Sequence, residues 1–232
     1  MEQRGTGFVI WLTGMKRAGK STLAALLADR LAAAGRSVEL LDEDGDAAVL
    51  LEGLGVGKDD QARGVARLGL VAKAVARLNG VAVCAALSPY REAREQLRRE
   101  ARRFLEVFVD CDMETLQKRD PEGLYRRALA AEITQVPGVD VPYEPPAHAE
   151  VTVRTEQTTP SEAAQRVFQA LVDARLVGPT EFGRLTGGLR PKKRARAGGK
   201  ARSGSRGRAA ARGAVRKAAK KHAARTARRR RR

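Results

Sequence analysis

The sequence has few cysteines, no long hydrophobic run and, beyond residue 189, no acidic residue. The first apolar run, residues 8–12, is far too short to span a bilayer, and no charged segment followed by a secretory apolar stretch is present at the N-terminus. We therefore expect a cytoplasmic protein without a transmembrane segment. The two cysteines, Cys84 and Cys111, lie in or at the end of strand-like runs, which favours buried, reduced thiols.

The missing acidic residues divide the chain by charge. Residues 190–232 contain 20 of the 45 Lys and Arg, whereas residues 1–189 contain 25 Lys and Arg against 27 Asp and Glu. The net charge of +18 therefore belongs to the C-terminal segment, which also lacks aromatic residues. Such a segment cannot bury enough surface to offset its ordering entropy, so it is predicted to be disordered. We predict a folded domain over residues 1–177, a linker over 178–189 and a basic tail over 190–232.

A tail this basic is expected to bind polyanions through counterion release. Nucleic acid is the first candidate partner because it is the commonest cytoplasmic polyanion. An anionic membrane surface, an acidic protein and a merely solvated tail stay open as alternatives.

Residues 8–27 form the stretch around which the chain is organised. An uncharged apolar run is followed by a complete match to G-x-x-x-x-G-K-[ST] from Gly14 to Ser21, and a helical pattern begins there. Gly14 and Gly19 allow backbone N–H groups to face phosphate oxygens, Lys20 can reach the β- and γ-phosphates, and the Ser21 hydroxyl can bind Mg²⁺. The pattern predicts a phosphate-binding loop (P-loop) for ATP, the alternative being a glycine turn in an ordinary α/β unit.

Strand-like and helix-like segments alternate along the first 175 residues. This alternation predicts an α/β fold with a parallel sheet covered on both faces. The predicted strands cover residues 8–12, 37–41, 81–87, 104–109 and 151–153.

Four acidic residues, Asp42, Glu43, Asp44 and Asp46, follow the second predicted strand. Ligands of open α/β sheets bind beyond the carboxyl ends of the strands, so these side chains are expected near the P-loop. They could hold Mg²⁺ or accept a proton from an attacking hydroxyl, or they could form a solvated turn.

Five motifs occur in the order found in the adenylyl-sulfate kinases, and residues 5–175 resemble that family. The motifs are GFVIWLTG with AGKSTLA (residues 7–24), LLDED (40–44), LSPYREAR (87–94), RDPEGLYRRA (119–128) and PGVDVPYEPP (137–146). The resemblance implies a P-loop kinase fold, a three-layer sandwich with a mostly parallel sheet. It also implies an ATP-dependent phosphotransferase of sulfate assimilation that uses Mg²⁺ to transfer the γ-phosphoryl of ATP to the 3′-hydroxyl of adenylyl sulfate. A homodimer is a further expectation from the resemblance.

The resemblance also implies a set of site residues. Four are expected in catalysis: Lys20, Asp42, Asp44 and Ser88. Eight are expected to bind ATP: Gly14, Ala18, Gly19, Lys20, Ser21, Thr22, Arg119 and Arg126. Ser21 and Asp44 are the expected Mg²⁺ ligands. Ser88 matches a serine commonly labelled a phosphoserine intermediate, but a direct transfer needs no covalent carrier, so a helix-capping role is the alternative.

The chain departs from the family pattern at positions that would bind the acceptor. These are Ala47, Val56, Gln61, Gly64, Thr134 and Val136, which replace cationic, amide or aromatic residues. Three hypotheses therefore stay open: an adenylyl-sulfate kinase with altered contacts, a kinase of the same fold with another hydroxyl acceptor, and a non-catalytic nucleotide-binding module with a nucleic-acid-binding tail.

Overall fold

The computed structural model describes residues 6–187 of the 232-residue chain, over which strands alternate with helices. The strands are β1 Phe8–Thr13, β2 Val38–Asp42, β3 Val81–Ala86, β4 Phe104–Asp110 and β5 Val151–Arg154. The α-helices are α1 Lys20–Ala33, α2 Lys58–Arg77, α3 Arg91–Glu100, α4 Met113–Lys118, α5 Leu124–Leu129, α6 Pro160–Asp173 and α7 Pro179–Thr186. A 3₁₀-helix, Asp46–Leu51, follows β2 and was not predicted. All five predicted strands are confirmed, to within one residue at either end.

The five strands form one parallel sheet in the order β2-β3-β1-β4-β5. Strand β1 takes the central place because all six of its residues are uncharged and buried, as a strand covered on both faces requires. Its register pairs Phe8 with Val81 on one side and Val9 with Phe104 on the other. The loop that follows β1 therefore lies at the middle of the carboxyl edge of the sheet.

Alternate residues of β1 enter two separate cores, one on each face of the sheet. Phe8, Ile10 and Leu12 pack in a core that includes residues of α1 and α6. Val9 and Trp11 pack in a second core that includes residues of α2 and α3. Helices thus cover both faces, and the predicted three-layer α/β sandwich is confirmed.

The predicted linker differs from the structure, because residues Pro179–Thr186 form helix α7. Pro179 occupies the first turn of this helix, where its missing N–H costs no hydrogen bond. Leu185 is fully buried against the core, and Arg36 donates two hydrogen bonds, of 2.6 and 3.0 Å, to the carboxylate of Glu181. The glycines and the proline in this stretch concealed a short amphipathic helix, so a linker over residues 178–189 is wrong at these positions.

The predicted basic tail, residues 190–232, lies outside the described residues, and so does its predicted disorder. Among the helices of residues 6–187, none is both long and apolar enough to cross a membrane.

Both cysteines are buried and free, as predicted. Cys84 lies in the central part of β3, and burial raises the pKa of its thiol. A protonated, buried thiol is a poor nucleophile, so Cys84 serves as a small apolar residue of the core.

Candidate active site

The P-loop spans the six residues between β1 and α1 and begins with Gly14. Gly19 adopts a left-handed conformation, with a φ of 101°, directly before the first turn of α1. The side chain of Lys20 is only 4% exposed, and its Nζ donates a 3.3 Å hydrogen bond to the carbonyl oxygen of Met15. The loop thus curls around the Lys20 ammonium and directs the N-terminus of α1 towards the carboxyl edge of the sheet.

Gly14 is required by packing. A Cβ atom at this position would lie 2.2 Å from the carbonyl oxygen of Val109, in neighbouring strand β4. The sequence suggested only that a side chain at Gly14 would obstruct phosphate. The close approach of two central strands, which the motif does not reveal, is a second and independent reason for glycine.

The first of two adjoining cavities, of about 340 Å³, lies over the P-loop. We call it the donor cavity. Five of the predicted ATP-binding residues line it: Gly19, Lys20, Ser21, Thr22 and Arg119. The remaining three, Gly14, Ala18 and Arg126, are not part of its lining. Ala18 is fully buried beneath the loop, whereas Arg126 is exposed and lines neither of the two cavities.

Arg119 is held at the donor cavity by Thr155, a residue that the sequence analysis missed. The guanidinium donates to the Thr155 hydroxyl oxygen at 2.8 Å and to the Thr155 carbonyl oxygen at 2.9 Å. The same hydroxyl donates to the carbonyl oxygen of Ala18 at 2.8 Å. Thr155 directly follows β5 and therefore links the end of that strand to both the P-loop and Arg119.

The acidic turn after β2 reaches the P-loop, as predicted, but its two aspartates have different surroundings. The Asp42 carboxylate accepts a 3.1 Å hydrogen bond from the backbone N–H of Asp44 and lines neither cavity. The Asp44 carboxylate lies 3.5 Å from Lys16 Nζ and forms part of the lining of both cavities. Asp42 thus holds the turn, and Asp44 lies where the cavities meet.

Glu43 is the acid closest to the P-loop lysine, and the sequence analysis placed it near the P-loop without distinguishing it from the neighbouring aspartates. Its Oε1 lies 3.5 Å from Lys20 Nζ and is shielded from solvent without a hydrogen-bond partner. Burial raises the pKa of the Glu43 carboxyl, although the Lys20 ammonium acts in the opposite direction. The sequence signal that could have identified Glu43 was its position between two other acidic residues, at the end of a strand expected beside the P-loop.

Ser88 lies in a cluster of hydroxyl groups at the end of β3. It accepts a 3.1 Å hydrogen bond from the Trp11 indole N–H and donates a 2.9 Å hydrogen bond to the Thr13 hydroxyl, which is also hydrogen-bonded to the Tyr143 hydroxyl at 2.8 Å. Ser88 is 2% exposed, although it contributes to the lining of the second cavity. Its φ of 38° is unusual for a residue other than glycine.

The alternative role of Ser88 as a helix cap is wrong. The N-cap residue of α3 is Tyr90, and the Tyr90 side chain makes no capping hydrogen bond. The Glu144 carboxylate, from a distant loop, accepts a 2.8 Å hydrogen bond from the backbone N–H of Arg91 instead.

Arg94 of α3 fixes the segment around Ser88. Its guanidinium donates to the carbonyl oxygens of Ser88 and Glu144, at 2.5 and 2.6 Å, and to the Glu106 carboxylate at 2.9 Å. Because Arg94 is 2% exposed, these charge-assisted bonds are shielded from water. They connect the end of β3 and the loop carrying Tyr143 to strand β4.

The second cavity, of about 390 Å³, lies on the other side of Asp44, and we call it the acceptor cavity. Five of the six positions that depart from the family pattern line it: Val56, Gln61, Gly64, Thr134 and Val136. The sixth, Ala47, belongs to the 3₁₀-helix and is buried in the core on the α2 side of the sheet. The departures noted in the sequence therefore converge on one cavity.

Helix α5 and the loop that follows it both line the acceptor cavity, and hydrogen bonds tie the helix to the P-loop and the loop to itself. The Tyr125 hydroxyl donates a 2.7 Å hydrogen bond to the carbonyl oxygen of Lys16. The Asp140 carboxylate accepts from the backbone N–H groups of Gln135 and Val136, at 2.5 and 2.7 Å. These bonds hold the pKa of Asp140 below its ordinary value and fix the turn that carries Val136.

Within residues 6–187, no group of three or more His, Cys, Asp or Glu side chains could hold a metal ion. Ser21 and Asp44, the two expected Mg²⁺ ligands, both line the donor cavity. An ion that also takes phosphate oxygens and water as ligands needs few protein ligands, so this pair suits Mg²⁺ in the presence of a nucleotide.

Comparison with known proteins gives a family match over most of the described residues. The family model described as Adenylylsulphate kinase matches residues 6–154. "Adenylyl-sulfate kinase" of Microcystis aeruginosa (strain NIES-843 / IAM M-2473) is 41% identical over 173 residues, covering 75% of this chain and 94% of that protein. "Probable bifunctional SAT/APS kinase 2" of Sorangium cellulosum (strain So ce56) is 43% identical over 166 residues, covering 72% of this chain but only 29% of that protein.

A solved structure matches over the same part of the chain. It is the Mycobacterium tuberculosis APS kinase CysC in complex with AMPPNP and APS, which is 33% identical in sequence, with a TM-score of 0.67. The match covers 72% of this chain and 99% of that chain.

Proposed function

The chain belongs to the adenylyl-sulfate kinase family, and we infer that it is an ATP-dependent kinase that transfers the γ-phosphoryl of ATP to the 3′-hydroxyl of adenylyl sulfate. One observation on the site supports this inference: Asp44 lines both the donor and the acceptor cavity. A phosphate bound at the P-loop and a hydroxyl bound in the acceptor cavity would therefore meet at this carboxylate.

The donor cavity supplies the groups that ATP requires. The backbone N–H groups of the P-loop and the N-terminus of α1 would bind the β- and γ-phosphates. Lys20 would exchange its contacts with Met15 and Glu43 for phosphate oxygens. Arg119, held in place by Thr155, would present its planar guanidinium to the nucleotide.

We propose Ser21 and Asp44 as the residues that hold Mg²⁺, directly or through its waters. A Mg²⁺ ion held by these residues would supply positive charge that offsets the charge of the phosphates during the transfer. The hydrogen bond from the Asp44 backbone to Asp42 fixes the turn, so Asp42 acts by positioning Asp44.

The transfer itself is a direct displacement. The acceptor oxygen forms a bond to the γ-phosphorus, the bond from that phosphorus to the β,γ-bridging oxygen breaks, and ADP leaves. The hydroxyl proton passes to Asp44 or to water. Ser88 needs no covalent role in this scheme and keeps β1, β3 and the Tyr143 loop in register.

The test is to incubate the protein with ATP, Mg²⁺ and adenylyl sulfate and to follow ADP release with and without the acceptor. We expect acceptor-dependent release and a product phosphorylated at the 3′-hydroxyl. ATP binding without any acceptor-dependent turnover would refute the proposed activity and favour a non-catalytic nucleotide-binding module.

Lys20→Ala should lower kcat/KM by about a hundredfold or more, because a group that stabilises transferring charge is removed. Lys118→Ala is the matched control, since Lys118 is 69% exposed on α4 and lines neither cavity. Unchanged activity of the Lys20 variant would overturn the assignment of the P-loop.

We further propose that the basic segment, residues 190–232, binds nucleic acid. Its 20 Lys and Arg without a single Asp or Glu support this proposal. Anisotropy of a labelled DNA duplex should show binding that weakens steeply with salt and is lost when residues 190–232 are deleted. Binding that is insensitive to salt, or that survives the deletion, would refute it.

A cytoplasmic location and a homodimeric state are also proposals. Two free, buried cysteines support the first, which can be checked by cell fractionation. The second follows from the family resemblance. Size-exclusion chromatography coupled to light scattering would measure the molar mass of the protein in solution directly.

A further inference from the structure

The acceptor cavity has few cations. Only one Lys or Arg among residues 6–187 lines it, namely Lys16. Three carboxylates line it as well: Glu43, Asp44 and Asp60. Most of the remaining wall is aliphatic, with contributions from Leu51, Leu54, Val56, Val65, Leu68, Leu87, Leu124, Ile133 and Val136.

The cations nearest this cavity already have acidic partners. Lys16 lies 3.5 Å from Asp44, and Lys20 lies 3.5 Å from Glu43. Neither ammonium is therefore free to receive an anionic group of an acceptor without giving up a carboxylate. Asp60 adds a further negative charge to the lining and pairs with the exposed Arg63.

Glu43 Oε1 provides an independent indication of what the cavity binds. This oxygen is shielded from solvent, has no hydrogen-bond partner among the described residues and belongs to a side chain that lines the cavity. Its nearest cation is the Lys20 ammonium, 3.5 Å away, which the proposed function assigns to ATP phosphates. Once Lys20 turns to the nucleotide, a ligand that donates a hydrogen bond to this oxygen would satisfy it. A hydroxyl or an amine can do so, whereas a phosphate or sulfate oxygen cannot.

We propose that the acceptor cavity takes alcohols that carry no anionic group, and that the protein phosphorylates them as a further activity. This inference rests on the proposed function for its ATP site. The alcohol oxygen bonds to the γ-phosphorus of ATP, the bond to the β,γ-bridging oxygen breaks, ADP leaves and the hydroxyl proton goes to water. Recognition comes from the aliphatic wall and from a hydrogen bond to Glu43.

Adenosine and adenylyl sulfate form a matched pair for the test. They share the base and the 3′-hydroxyl, and they differ in the phosphosulfate group. A cavity that held this group through even one cationic hydrogen bond would lose about tenfold or more in kcat/KM on its removal. We expect a loss of less than about tenfold when ADP release is measured with each acceptor, and a larger loss would overturn the proposal.

Variants of Gln61 test the same idea from the side of the protein. Gln61 lines the acceptor cavity and is not among the residues to which we assign chemistry. Gln61→Arg should shift the preference towards adenylyl sulfate by about tenfold or more, because it adds an unpaired cation. Gln61→Met, of similar length and uncharged, should leave the preference unchanged. Equal ratios in the two folded variants would contradict the proposal.

The outcomes separate this inference from the proposed function. Efficient use of adenylyl sulfate with little use of adenosine would uphold the proposed function and overturn the inference. Comparable use of both acceptors would support the two together. If neither acceptor turned over, the proposed activity would fall, and calorimetry with a non-hydrolysable ATP analogue and Mg²⁺ would decide the inference. Binding of adenosine at least as tight as binding of adenylyl sulfate would support it, and weaker binding would overturn it.

Discussion

At Gly14 the space for a side chain is already occupied by the carbonyl oxygen of Val109, which would lie 2.2 Å from an added Cβ. Because that oxygen belongs to the backbone of central strand β4, it cannot move without disturbing the sheet. We expect Gly14→Ala to lower the free energy of unfolding by about 1–3 kcal/mol, the usual effect of overpacking. Urea unfolding followed by circular dichroism would measure this change.

Gly53→Ala is the control that separates packing from backbone strain. Gly53 has a φ of 77°, but an added Cβ would meet no atom within 4 Å. Its replacement should therefore cost only the left-handed conformation, about 1 kcal/mol. In addition, Gly14→Ala should weaken ATP binding, whereas Gly53→Ala should not. A smaller destabilisation at Gly14 than at Gly53 would contradict the packing explanation.

Ser88 provides a second test at the scale of one residue. Ser88→Ala removes the acceptor for the buried Trp11 N–H and the donor to Thr13. We expect a loss of about 1–3 kcal/mol in stability, the cost of leaving buried polar groups unpaired. Phosphoryl transfer should persist at temperatures where the variant is folded. Complete loss of turnover in a folded variant would indicate a covalent role for Ser88.

Among single residues, the sequence predicted those whose role lies in a contiguous motif. Lys20, Ser21 and Asp44 all line the donor cavity, as their positions around the P-loop and the end of β2 indicated. Thr155 was missed, and Glu43 was not distinguished from the aspartates beside it, because the contacts of both residues depend on how separate strand ends meet in space. No local pattern records that Thr155 links Arg119 to the backbone of Ala18.

At the scale of elements, α7 shows how packing decides what composition does not. Leu185 of this helix is fully buried, and truncating its side chain would leave a cavity in the core that includes residues of α1 and α6. We expect Leu185→Ala to lower the free energy of unfolding by about 2–5 kcal/mol. Chemical unfolding would measure the change.

Leu78→Ala is the control for this prediction. Leu78 follows α2 and is 83% exposed, so its truncation should change stability by less than about 0.5 kcal/mol. A similarly small effect at Leu185 would mean that α7 does not contribute to the folded domain.

Strands could be predicted more closely than short helices, for a physical reason. The central strands are buried on both faces, so each forms an uninterrupted apolar run that has few alternatives. Helix α7 and the 3₁₀-helix Asp46–Leu51 are short, half of the residues in each are exposed, and a single buried residue anchors each of them, Leu185 and Ala47 respectively. Such anchors become visible only when the rest of the core is in place.

At the scale of the whole molecule, an ionic network links α3, β4 and the segment that leads into β5. Arg98 contacts both Glu106 and Glu150, and the Glu150 carboxylate accepts a 2.7 Å hydrogen bond from the Glu106 backbone N–H. Burial alone would raise the pKa of Glu150, but the bonds from Arg98 and Glu106 hold it below its ordinary value of 4.5. Folding therefore favours the ionised form of this carboxyl.

This depressed pKa sets the direction of a pH dependence. The stabilisation is complete above pH 4.5 and is lost as the pH falls through the lower folded-state value. Glu150→Gln should therefore destabilise the protein by about 1–3 kcal/mol at neutral pH, with a smaller difference in acid. Urea unfolding at several pH values would measure it.

Glu114→Gln is the matched control, because Glu114 is 81% exposed and, within residues 6–187, pairs only with Lys118. Its replacement should have little effect at any pH. A Glu150 variant whose destabilisation stayed constant down to low pH would refute the electrostatic explanation.

For the whole domain, the sequence predicted the fold and the residues of the donor cavity, because few residue types can form a P-loop that binds phosphate. It could not reach the acceptor half. The sequence located the unusual positions, Val56, Gln61 and Val136 among them, but it did not reveal that the nearby cations are paired with acids. Pairing depends on distances between side chains from β2 and the P-loop, and these follow only from the assembled sheet.

Asp44, as a wall common to both cavities, makes the affinities of the two substrates interdependent. Any rearrangement of this carboxylate that ATP induces is felt by the acceptor, and thermodynamic linkage requires the reverse effect to be equal in size. If ATP changes the dissociation constant of a compound in the acceptor cavity by some factor, that compound must change the dissociation constant of ATP by the same factor. The nucleotide can thus serve as a reporter ligand, because a shift in its titration curve would reveal an acceptor before any product is formed.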